Sequence, residues 1–131
     1  MSGFSNYWEN EVMNHTMGKS SIKSPSVYIG LLTSEPNDDG SGLNEPACAS
    51  YARVRTYADD WEAAFNGCIE NVNDISFSLA VENWGLITHF VLFDAAAGGN
   101  MIVWGTLSPS KNISSGEIPR FSAGDLTIGL N

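Results

Sequence analysis

Positive charge is scarce in this chain. Its 131 residues include six Lys and Arg against fifteen Asp and Glu, a formal net charge of −9. Nucleic-acid binding needs a basic footprint to displace counterions from phosphate, so the charge balance argues against that partner. Cysteine is scarcer still, with only Cys48 and Cys68. Two cysteines make no disulfide framework in a domain of this length, and with no export signal both are expected as free thiols. Histidine is limited to His15 and His89, neither at zinc-ligand spacing, so no metal or other cofactor is expected. No apolar run reaches the ~18 residues of a membrane helix, and the N-terminus lacks the basic region of a signal peptide. The G-x-S-x-G elbow, the Walker loop and the H-E-x-x-H helix are all missing.

What the chain does contain is β-structure. Residues 84–107 (WGLITHFVLFDAAAGGNMIVWGTL) read as two apolar runs, 87–93 and 101–107, joined by the loop 94–100. That is a β-hairpin. Asp94 is expected to accept the N–H of Ala96 or Ala97, and Asn100 to leave the loop in a left-handed conformation. The run 27–33 (VYIGLLT) reads as a strand buried on both faces, with Gly30 marking a bulge or the close approach of another backbone. Residues 51–57 (YARVRTY) alternate, placing Tyr51, Arg53, Arg55 and Tyr57 on one face. Asn66-Gly67 is a two-residue turn signal. Residues 75–79 alternate with Ile75, Phe77 and Leu79 inward. Segments 111–113 and 118–121 read as a short pair across Ser115-Gly116, and 126–130 closes the domain with Leu126, Ile128 and Leu130 on one face.

One helix is expected over 6–17, capped by Asn6 with Glu9 completing the box and stopped by Gly18. Its Trp8 and Val12 side should pack against the body or a neighbouring chain. The pattern predicts a helical arm and linker over 1–26 and one β-domain over 27–131. The fold class is all-β, an antiparallel sandwich, jelly roll or small barrel with one N-terminal helix. The stretch 34–50, with two prolines and two glycines, holds no regular element; a loop of that length is usually functional or an interaction element.

Catalytic constellations are thin. Cys48 or Cys68 with His89 is the one Cys–His option, and nothing local supports it. His89, in mid-strand, reads as a half-buried residue donating to a nearby carbonyl or carboxylate. The carboxylates at Asp38-Asp39 and Asp59-Asp60, with Glu35 and Glu62 nearby, do not follow the EF-hand spacing, and turn chemistry accounts for them. Asn14 and Asn112 match the glycosylation acceptor pattern by chance. No enzyme is expected.

The hairpin 84–107 resembles a family of small bacteriophage virion structural proteins, described variously as head decoration, minor tail or tail-fibre proteins. The likeness extends to Asn6-Tyr7-Trp8-Glu9-Asn10 leading to Gly18, Tyr28 to Thr33 with Pro36, Tyr51-Ala52-Arg53, and Asn71 to Phe77. It also takes in Lys111-Asn112-Ile113 with Gly116, and Phe121 to Thr127. The resemblance implies a non-enzymatic part of the phage particle, assembled in the bacterial cytoplasm, with no membrane or nucleic-acid partner. The reading placed first is a capsid decoration (cement) protein on the outside of the head. It would be a homo-oligomer, a dimer or trimer, bridging subunits of the major capsid protein. A tail or tail-fibre-associated role is the alternative. A sugar-binding hydrolase, with an aromatic platform for sugar rings, lacks the paired acid and nucleophile. Trp8, Val12, Tyr51, Arg53, Arg55, Tyr57 and Trp61 are the candidate contact residues, since aromatic and arginine side chains are enriched at interfaces.

Overall fold

A computed structural model describes residues 2–129. The chain is all-β with one N-terminal helix. Before that helix lies a strand absent from the sequence-based reading, β1 (Ser2–Phe4). It pairs with β7 (Met101–Ile113), placing Gly3 opposite Trp104 and Phe4 opposite Val103. This pairing moves the helix cap by one residue. Ser5 is the first residue free to turn, and its hydroxyl accepts the Trp8 N–H at 3.2 Å while donating to the Met101 carbonyl at 2.5 Å. Ser5, not Asn6, therefore caps α1 (Asn6–Thr16). Gly18, at φ +74°, follows the helix as expected.

The central sheet is antiparallel in the order β1-β7-β6-β2-β3, with β2 at Val27–Leu32, β3 at Val54–Thr56 and β6 at Gly85–Phe93. The β6–β7 hairpin is the one read from the sequence. Its loop differs in detail. Asp94 accepts the Asn100 backbone N–H at 2.7 Å and its carboxamide at 3.0 Å, rather than Ala96 or Ala97. The left-handed residues are Gly98 and Gly99, not Asn100. Strand β7 also runs on through Ser108-Pro109, so 111–113 pairs with 85–87 and not with 118–121.

Two short ribbons form the second layer: β4 (Cys68–Glu70) with β9 (Thr127–Gly129), and β5 (Ile75–Ser76) with β8 (Arg120–Phe121). The main core lies between sheet and ribbons, where Ile29, Leu31, Phe90 and Leu92 meet Ile75, Phe77, Leu126 and Ile128. Leu79 departs from the alternation and is exposed. Leu130 lies outside the described residues. Buried Asn71 ties the ribbons together, accepting the Leu126 N–H at 2.9 Å and donating to the carbonyls of Asn73 and Ser122.

The opposite face of the sheet carries a smaller cluster of Leu32, Val91, Phe93, Met101 and Trp104. Both faces of β2 and β6 are apolar, so this one also needs a cover. The 34–50 stretch supplies part of it. Leu43 packs on the cluster, the Trp104 indole donates to Asp38 at 3.0 Å, and the Asp38 carbonyl accepts the Asn6 N–H at 2.8 Å. The long Pro/Gly segment works here as a lid on the sheet, held by its own turn bonds around Asp39 and Ser41.

Candidate interaction surface

The segment 51–57 was expected to be one alternating strand. Only Val54–Thr56 is strand, and the candidate residues divide at its start. Tyr51 precedes β3 and turns its ring into the main core, 5.4 Å from Trp84 edge-on and 6.3 Å from Phe77. Its hydroxyl accepts the Leu31 N–H at 3.0 Å, a group β3 begins too late to pair, and donates to Glu45 at 2.5 Å. Burial, and then the bond to Glu45, push this phenol well above its ordinary pKa. Gly30 now has its reason. A Cβ there would sit 3.0 Å from the Tyr51 hydroxyl and 3.1 Å from both Phe93 and Val91. The close approach comes from side chains rather than from a backbone. Replacing Tyr51 by Phe is expected to leave the Leu31 N–H unpaired and cost about 1–3 kcal/mol. The check is a lower urea midpoint at unchanged slope.

Arg53 also turns inward. Its guanidinium lies 3.4 Å from the Phe93 ring centroid, forks onto Glu45 at 3.0 and 2.7 Å, and donates to the Ala95 and Gly98 carbonyls at 2.9 Å each. Only 7% of this side chain is exposed, so it serves its own fold. Arg55 and Tyr57 face outward. The Arg55 guanidinium stacks 4.8 Å from Tyr57 and 5.7 Å from Tyr28, its cross-strand neighbour. Tyr28 was missed from the sequence, although its pairing with Arg55 follows once β2 and β3 are in register. Trp61 is half-buried, with its indole donating to Thr56 at 3.0 Å. Arg55, Tyr57 and Trp61 line an open groove of about 600 Å³, walled on the other side by Pro25 and Val27. Trp8 and Val12 lie elsewhere, half-buried on α1, with Trp8 packed against the main core.

A family model described as "Podophage GP4 fiber I protein gp80" matches residues 3–129. The chain belongs to this family. It is a structural protein of a bacteriophage particle. No curated protein matches it.

The remaining polar groups read as structural parts of such a protein. His89 contacts Trp104 on the lid face, its ring nitrogen is 2.7 Å from the Thr88 hydroxyl, and burial lowers its pKa against the opposing pull of Glu35. Cys48 packs on the main-core side, so the sheet stands between it and His89. Cys68 sits on the ribbon strand β4. Of the Asp pairs, Asp39 and Asp60 serve turns, while Asp38 holds the Trp104 indole. Asp39 accepts both bonds from Ser41, which hold its carboxyl below the usual range, and Asp60 accepts the Tyr57 N–H at 2.8 Å. Among the described residues no three His, Cys, Asp or Glu side chains converge as a metal site requires, and no helix is long and apolar enough to cross a membrane.

Proposed function

We propose that this chain is a tail-fibre-associated structural protein that works by adhesion, through preformed faces, and performs no chemistry. One observation carries the reading: the family match runs over nearly the whole β-body and its description is of a fibre protein. That description supports the tail alternative over the head-decoration reading placed first from the sequence. The architecture suits the task. The main sheet is covered on both faces, and the Tyr51 and Arg53 side chains lock β3 and the hairpin loop in place. A rigid surface loses little conformational entropy on docking. The face formed by Arg55, Tyr57 and Trp61 has the aromatic and arginine composition of an attachment surface.

The test is location and copy number in intact particles. Antibody-gold labelling is expected at the tail, with a few dozen copies or fewer per particle by gel densitometry (a count of the order expected for an appendage). Gold over the head and hundreds of copies would overturn the tail assignment and restore head decoration.

A further inference from the structure

Phe65 is 76% exposed, more than any other large apolar residue among those described. It stands on a rigid base. Asn66 (φ 53°) and Gly67 (φ 74°) make a tight turn, closed by two backbone hydrogen bonds between Phe65 and Cys68 at 2.9 and 3.0 Å. Glu62 and Glu70 flank the turn, joined by a backbone bond at 2.9 Å, and both are exposed. The protein thus presents an exposed aromatic knob with two carboxylates lining the same surface beside it.

A matching hole lies elsewhere, between the bulged part of β7 and strand β8. It is an apolar cleft of about 150 Å³, floored by Phe77 and Ile87 and walled by Pro109 and Phe121. An apolar cavity of about that volume holds one benzene ring. The two charged residues lining it are Lys111 and Arg120, both cationic and both exposed. Lys111 is only loosely engaged, 3.9 Å from Glu117.

We infer that the occupant of this cleft is Phe65 of a second copy of the chain. The volumes match and the charges match. Two copies at a net −9 each repel across most of their surfaces. Here the sign reverses, with Glu62 and Glu70 on the knob facing Lys111 and Arg120 at the hole. Knob and hole are different patches, so the contact is head-to-tail and builds a ring or a chain rather than a two-fold dimer. The contact is small, so its affinity is modest and falls with salt. The inference rests on these two surfaces alone and not on where the protein sits in the particle.

Sedimentation velocity of the purified chain over a concentration series at low salt tests it. The unmodified protein is expected to form assemblies that grow with concentration, and Phe65→Ala to remain monomeric. Glu62→Lys/Glu70→Lys and Lys111→Glu/Arg120→Glu should each weaken association about tenfold or more alone, and assemble again when mixed. A monomer at every concentration overturns the inference. So does assembly that survives Phe65→Ala, or a charge-reversed pair that stays apart on mixing. If far-UV circular dichroism shows Phe65→Ala to be unfolded, the charge-reversed pair decides.

Discussion

Replacing Arg53 by Ala is expected to destabilise the protein by about 3–5 kcal/mol, because it leaves a buried charge without its partner. For a domain of this size that lowers the melting temperature by about 10–20 °C. The guanidinium has three tasks at once. It neutralises Glu45 in a two-pronged bond, it satisfies the Ala95 and Gly98 carbonyls of the hairpin loop, and it covers the Phe93 ring. Truncation abandons all three. The Glu45 side chain keeps 22% exposure, so water recovers part of the lost solvation and the effect falls toward the lower figure. Arg53→Lys should rescue little, since an ammonium cannot fork onto a carboxylate and also reach two carbonyls. The control is Arg55→Ala. Arg55 is exposed and stacks on Tyr57 and Tyr28, so its loss should cost no more than about 0.5 kcal/mol. Equal effects at the two arginines, read by thermal unfolding, would show that the inward ion pair does not hold the loop.

That contrast marks where sequence reasoning ran out. Alternation correctly put Arg53 and Arg55 on one face, because period two is a property of the backbone. It carries no information about what covers that face. The cover comes from Glu45 and from Ala95–Gly98, remote in sequence and irregular in structure. Tyr51 was misread for a related reason: it lies before the strand begins, so its side chain obeys the path of the loop and not the pleat. Local signals fared better. Asn66-Gly67 makes its turn and Gly18 follows the helix, since each needs only a backbone conformation that its own residues favour. Strand β1 was invisible because three residues carry no period, and the length of β7 was hidden by a proline that reads as a break. The groove at Arg55, Tyr57 and Trp61 was half legible: its aromatic residues stand out in sequence, but Pro25 and Val27 join them only through the β2–β3 pairing.

Replacing Gly99 by Ala should have the second largest effect, about 2–4 kcal/mol. Gly99 sits at φ +73°, where a side chain costs about 1–2 kcal/mol on its own. An added Cβ would also lie 2.5 Å from an Asp94 carboxylate oxygen and 2.7 Å from the Ala95 Cβ. One of two things must give. Either Asp94 swings away and releases both of its bonds to Asn100, or the loop moves and draws the Ala95 and Gly98 carbonyls off Arg53. Each lost bond costs about 1 kcal/mol. Gly98 separates the two contributions. Its φ is +62°, but a Cβ there meets nothing within 4 Å, so Gly98→Ala should cost only the backbone strain. In urea unfolding, Gly99→Ala should therefore exceed Gly98→Ala by about 1–2 kcal/mol. In an Asp94→Ala background the excess should shrink, because the carboxylate that the new methyl strikes is gone. An undiminished excess would place the conflict at Ala95, and the loop would then be held by its own close packing rather than by the Asp94–Asn100 bonds.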